Sequence, residues 1–209
     1  VSGLRRRWWP AALCTFVALW LAVLTLVVLT TQPWETERPG TDSADAGFAR
    51  DMAVHHQQAV EMSFLVRDST DDENVRRLAY DIINTQANQR GMLLGRLETW
   101  DLPKTSESPP MAWMGHDMDH KPQDGSRMPG MATDTQLDTL REATGEDAEV
   151  LYLQLMTAHH RGGVDMAREA AGRAEDRQLA SLAKGMVRSQ RSEMTLMAAM
   201  LKERGAKAS

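Results

Sequence analysis

Along most of the chain apolar positions recur at three- and four-residue steps, which is helical spacing. Over 46–67, Phe48, Met52, His55, Ala59, Met62 and Val66 share one stripe and predict a helix. The stretch 69–72 breaks the period, with Thr70 or Asp71 placed to cap the next helix. That second helix is expected over 73–100, with Val75, Leu78, Ala79, Ile82, Ile83, Leu93 and Leu97 on one face and Pro103 and Pro109-Pro110 beyond its end. Residues 101–132 keep no period and are rich in Pro, Gly, Met and His. Further helices are expected over 134–143, 146–174 and 176–204, the last stopped by Gly205. No stretch alternates as a strand would, so the predicted fold class is all-α.

The N-terminal pattern is different. No charge occurs from Trp8 to Trp34, and 10–31 is almost wholly apolar, enough for the roughly 20 residues a membrane helix needs. Arg5, Arg6 and Arg7 precede it and Trp8, Trp9 and Trp34 flank it, predicting an uncleaved signal anchor over 1–34 with a cytoplasmic N-terminus. A cleaved signal peptide is the rival. Its apolar core would be shorter, about 7–15 residues, and the A-x-A candidate Ala44-Asp45-Ala46 lies far beyond the run. Residues 35–45 read as a tether, and everything after them is expected outside the cytoplasm at the cell membrane.

Beyond the tether the chain repeats itself. Residues 48–62 (FARDMAVHHQQAVEM) recur as 152–166 (YLQLMTAHHRGGVDM), displaced by 104 positions. The correspondence continues without a gap: Val75 aligns with Leu179, Leu78 with Leu182, Ile82 with Met186, Ile83 with Val187, Gln86 with Gln190 and Leu97 with Leu201. A helical hairpin has thus been duplicated, giving hairpins over 46–100 and 146–205 joined by a crossover over 101–145. Two hairpins with one apolar face each can bury those faces against one another. The long crossover predicts a ferritin-like four-helix bundle with a pseudo-twofold axis, preceded by the single transmembrane helix.

Composition narrows the chemistry. The one cysteine, Cys14, lies inside the apolar run behind Leu13, too large for a lipoprotein cleavage site, so the exported part has neither disulfides nor thiolate ligands. Without the three leading arginines the net charge is −8, which disfavours nucleic acid and suits a surface that attracts cations. All six histidines fall in the two repeats or in the Met-rich crossover. His55 shares its stripe with Met52 and Met62, and His159 repeats this with Met156 and Met166, while His56 and His160 turn about 100° away toward a neighbouring helix. Gln86 and Gln190 fall on the apolar stripes of the second and fourth helices, as partners that orient imidazoles or as a buried polar pair. Met131, Met128, His120, Met118 and His116, with Met111 and Met114, form a further soft-ligand cluster in the crossover. Each of these residues also has a plain reading as core packing; the duplication of the whole set is what favours metal binding.

Thioether and imidazole together suit Cu(I) and Ag(I). A di-iron enzyme would need Glu-x-x-His motifs; the residues three before the histidines are Met52, Ala53, Met156 and Thr157. No nucleophile elbow, phosphate-cradling loop or Cys-x-x-Cys pair occurs, so no catalysis and no organic cofactor are expected. Gly162-Gly163 inside the third bundle helix is expected to allow a close helix approach.

The elements HHQQAVEM, HHRGGVDM and MPGM resemble the bacterial family called domain of unknown function 305, over about 46–203. The resemblance implies a ferritin-like four-helix fold, export and an association with copper binding or tolerance. It implicates His55, His56, Met62, His159, His160 and Met166, with Met128 and Met131 in the crossover. Gln57-Gln58 stands where the second copy has Arg161-Gly162, which makes the first half-site the one expected to differ. The expectation is an anchored copper buffer or metallochaperone, with the metal ion, the membrane and a second copy or a copper-exchanging protein as partners. A divergent metal-dependent oxidase and a metal-free interaction module are the alternatives.

Overall fold

The computed structural model describes residues 9–31, 38–115 and 123–207, with side chains described from Leu13 to Val27 in the first stretch. Among the described residues it is all-helical: α1 (Trp9–Thr31), α2 (Ala44–Ser69), α3 (Glu73–Thr99), α4 (Asp134–Glu142), α5 (Gly145–Arg173) and α6 (Arg177–Glu203), with a 3-10 turn at Ala112–Met114. The chain divides into two units, Val1–Arg38 and Pro39–Ser209. Unit one is α1, on which Leu13, Phe16, Leu19 and Trp20 are exposed. Among the described residues no helix is long and apolar enough to cross a membrane.

In the second unit the helix ends obey capping chemistry. Ser43 accepts from the Ala46 amide at the start of α2, and Thr133 with Gln136 forms a capping box on α4. The cap of α3 is Asp72, which accepts from the Val75 amide, and not Thr70 or Asp71 as its sequence suggests. Thr70 is drawn off elsewhere. Its hydroxyl donates to Glu149, 79 residues away, while accepting from the Asp72 amide. Asp176, the repeat counterpart of Asp72, caps α6 through the Gln178 and Leu179 amides.

α2 packs along α3 and α5 along α6, and the two hairpins meet through α2 and α5. These central helices run antiparallel. Met52 and Met166 share one apolar cluster, whereas Met62 shares the other with Met156. Each hairpin also clasps the turn of its partner. Buried Asp45, at the start of α2, accepts from the Glu175 and Asp176 amides in the α5–α6 turn at 3.1 and 2.9 Å. Its counterpart Glu149, at the start of α5, takes the Thr70 hydroxyl of the α2–α3 turn and pairs with Arg204 at 2.7 Å. Arg204 reaches Asp72 as well, at 3.1 Å, tying the end of α6 to the start of α3.

The crossover is fastened to α2 and α5. Trp113 stacks edge-on against Phe48 at 5.8 Å, donates its indole N–H to Asp51, and covers Gly47, where a Cβ would lie 2.5 Å from the ring. Met111, Met114 and Met128 are buried in the first apolar cluster, and Met131 packs against it. For these four the packing reading of the crossover cluster holds, their apolar stems completing the core. Ala132 is held by Gln58, whose amide accepts from its N–H at 2.7 Å and donates to its carbonyl at 2.9 Å. On the other side, a Cβ at Gly162 would fall 2.0 Å from the Pro129 carbonyl, and one at Gly130 (φ 80°) 2.4 Å from the Ala158 carbonyl. Gly162 thus receives crossover backbone where the sequence suggested a second helix. Gly163 faces the Gln190 amide and the His55 ring.

Two sets of variants test this packing. Asp45→Ala leaves the Glu175 and Asp176 amides, and Glu149→Ala leaves Thr70 and Arg204, without their acceptor, a cost of about 1–3 kcal/mol each. The thermal midpoint should fall by roughly 2–4 °C per kcal/mol, while Asp81→Ala on an exposed face leaves it in place. Gly162→Ala should lower the urea midpoint through overpacking of about 1–3 kcal/mol and speed hydrogen exchange at the Ala132 amide. Gly172→Ala, with open space around it, should be neutral or stabilising by up to about 1 kcal/mol.

Candidate metal centre

The two His-His pairs face each other halfway along α2 and α5. His55, His56, His159 and His160 are each at most 1% exposed. His55 and His159 lie ring on ring, centroids 3.7 Å apart and planes tilted by 33°. His56 sits 6.5 Å from His55, and His160 6.3 Å from His159, each turned outward to the second helix of its own hairpin. The stagger arises from the 100° step between adjacent helical residues.

Hydrogen bonds set the tautomers of three rings. His56 donates from Nε2 to Gln89 Oε1 at 2.9 Å, and His160 from Nε2 to the Glu193 carboxylate. The donor of His159 is again Nε2, and the acceptor is the His55 carbonyl at 3.0 Å. A neutral ring that donates from Nε2 carries its lone pair on Nδ1. All four Nδ1 atoms are buried without a partner, as are His55 Nε2, both amide atoms of Gln86 and Gln190 Oε1. Among the described residues every buried side-chain polar atom lacking a hydrogen bond belongs to this layer. Native proteins satisfy nearly all such atoms.

Three of the rings, His55, His56 and His159, are held neutral. Burial, reinforced by the neighbouring imidazoles, brings His55 down to about 3, against an opposing upward pull from the Pro129 backbone. Burial lowers His56 to about 3 against the opposing bond to Gln89, and burial with the adjacent rings lowers His159 well below the usual range. Neutral imidazole with an unshared Nδ1 lone pair is the ligand form of histidine.

The sulfur residues bracket this layer. Met52 and Met166, with Met128 and Met186, lie in the apolar cluster on one side, and Met62 and Met156, with Met197, in the cluster on the other. Among the described residues no three or more His, Cys, Asp or Glu side chains form a group that could hold a metal ion. Imidazole alone does not make the site; a soft ion here needs thioether sulfur or an amide oxygen to complete its shell.

Gln86 and Gln190 are buried on the core stripes as expected, yet neither hydrogen-bonds an imidazole among the described residues. The partners are Gln89 and Glu193, which sequence reasoning missed for this role. They lie three residues further along the same helices, because His56 and His160 point toward the helix flank and not its centre. The signal was present: Gln89 and Glu193 are themselves related by the displacement of 104, as are His56 and His160. His116, Met118 and His120 lie outside the described residues.

The fold has counterparts among solved structures. A DUF305 protein of Streptomyces coelicolor is 60% identical, with 81% of this chain and 99% of that one covered and a TM-score of 0.75. A DUF305 fragment from Deinococcus radiodurans is 27% identical over 77% of this chain and 96% of its own, with a TM-score of 0.62. CopM in its Cu(I)-bound form shares the fold, with 21% identity, 76% and 96% coverage and a TM-score of 0.59. No functionally curated protein matches the chain. The model of the domain of unknown function DUF305 matches residues 45–201, and the chain belongs to that family.

Proposed function

We propose that this protein binds Cu(I), and Ag(I) as its chemical analogue, outside the cytoplasm and acts as a copper buffer or metallochaperone without turnover. The observation that carries the reading is the layer of unpartnered Nδ1 atoms at the α2–α5 seam. Leaving such atoms unpaired costs about 1–3 kcal/mol each, and together they would rival a total stability of about 5–15 kcal/mol. A layer of that composition is built to receive a partner. Neutral imidazoles between two methionine-bearing clusters, with no cysteine in the unit, match a soft monovalent ion better than Mg, Ca or Mn.

CopM, whose fold this chain shares, has been solved with Cu(I), with Cu(II) and with Ag, and a copper-related role is the reading that similarity supports. In this proposal His55, His159, His56 and His160 supply nitrogen, and Met52, Met62, Met156 and Met166 supply sulfur from either side. Met128 and Met131 stand at the crossover face, and the segment with His116, Met118 and His120 is the place where ions exchange. The paired hairpins are taken as a ferritin-like bundle. The proposal keeps the N-terminal anchor read from the sequence, on the strength of the uncharged run from Trp8 to Trp34 and the three arginines before it.

Competition of the full chain in detergent against a Cu(I) chelator under anaerobic conditions tests the reading. Tight binding that weakens at least tenfold, about 1.4 kcal/mol, in the His55→Ala/His159→Ala double variant is the expected result; affinity unmoved by that change would remove the seam from the proposal. Ag(I) at about 100 times its dissociation constant should add about 2.7 kcal/mol to stability, read as a rise in melting temperature.

Acid supplies a second check. His55, His56 and His159 have folded pKa values below the unfolded value of 6.5, so on acidification the unfolded chain takes up protons first. Stability of the metal-free protein is then full above about pH 6.5 and falls toward pH 3, by up to about 1.4 kcal/mol per pH unit for each such histidine. Denaturant midpoints measured between pH 7 and pH 4 should track that slope, and the His55→Ala/His159→Ala variant should show a shallower one.

A further inference from the structure

The duplicated half-sites are held the same way by chemically different groups. In each hairpin the second histidine of the pair reaches a side chain 33 residues ahead, through the same ring atom: His56 Nε2 to Gln89, and His160 Nε2 to Glu193. Gln89 is a neutral amide, whereas Glu193 is a carboxylate. Among the described residues His160 is the only one of the four rings that hydrogen-bonds to a carboxylate. Other acids on these helices do not take that part: Asp165 is turned to solvent where it meets Arg168, and Asp51 accepts from the Met111 amide and the Trp113 indole.

The difference matters for a buried monovalent cation. Imidazole and thioether are neutral, so an ion bound by them brings an uncompensated positive charge into a low-dielectric layer. Glu193 stands one hydrogen bond behind a ligand nitrogen, with its side chain 21% exposed and that of His160 fully buried. A carboxylate in that position fixes the Nε2–H tautomer, makes Nδ1 a stronger donor and supplies the missing negative charge. Gln89 does only the first of these.

We infer that Glu193 is the positioning and charge-compensating residue of the centre, so that the α5–α6 half, through His160, takes a soft monovalent cation more tightly than the α2–α3 half. The inference rests on the copper reading above and assigns the order of filling between its two halves. Ag(I), which does not change oxidation state, is the probe, titrated into the full chain in detergent with imidazole 15N shifts monitored for His56 and His160. In the native sequence the His160 signal should move first. Glu193→Gln, which turns the second half into a copy of the first, should weaken the tight site by about 10–100-fold. The exchanged chain carrying Gln89→Glu with Glu193→Gln should regain the affinity with His56 now moving first.

A purely structural hydrogen bond would change the metal-free melting temperature and leave the filling order alone. Affinity and order unchanged in Glu193→Gln, with binding still lost in His160→Ala, would overturn this inference and leave the copper reading standing. Failure of the native chain to bind Ag(I) or Cu(I) at any histidine would overturn both. Should Glu193→Gln not fold, Gln89→Glu alone decides, since it should tighten the first half, and an unchanged affinity there is a contrary result.

Discussion

The constraint on which this structure turns is a polar layer locked inside an apolar core. Four imidazoles and two glutamine amides occupy the middle of the α2–α5 seam, with an apolar cluster of side chains on each side. An unpaired buried polar group costs more than its hydrogen bond is worth, so a layer like this one fixes the register of the two central helices. Sliding α5 by one turn along α2 would break the present ring contact between His55 and His159 and the bond from His159 to the His55 carbonyl. The rest of the fold supports that register. Asp45 and Glu149 fasten the ends of the seam 104 residues apart in sequence, each by holding the turn of the opposite hairpin.

Much of this was legible in the sequence because duplication supplies its own control. A single histidine on an apolar stripe says little, but His55 and His159 in identical surroundings predicted a shared face, and they do stack. The four long helices of the second unit lie within two residues of their predicted ends, since the apolar spacing and, on three of them, Asp or Ser caps act locally. What escaped was tertiary. Thr70 is a good cap by type, but its hydroxyl is committed to Glu149 across the bundle. Gln86 and Gln190 were the conspicuous polar residues on apolar stripes, while the groups that meet the imidazoles, Gln89 and Glu193, sit on the less buried flank where polar residues attract no notice. The crossover methionines carry no period, so nothing local distinguished burial from exposure.

The places where the two copies differ become intelligible once the crossover is considered. The two hairpins repeat each other in sequence, but a chain has only one crossover, and any segment lying across the seam must meet two different faces. Gln58 and Gly162 are equivalent positions in the repeat. Gln58 grips Ala132 through both amide atoms, and Gly162 opens the space into which Pro129 settles. The sequence difference between the copies, read as one of packing or affinity, is at this position a difference in how each half holds the same strap. Glycine at 58 would give up both bonds to Ala132, and any side chain at 162 would push the strap off α5. Neither residue could serve at the other's position, so the duplication had to lose its sequence symmetry at this point to keep its structural symmetry elsewhere.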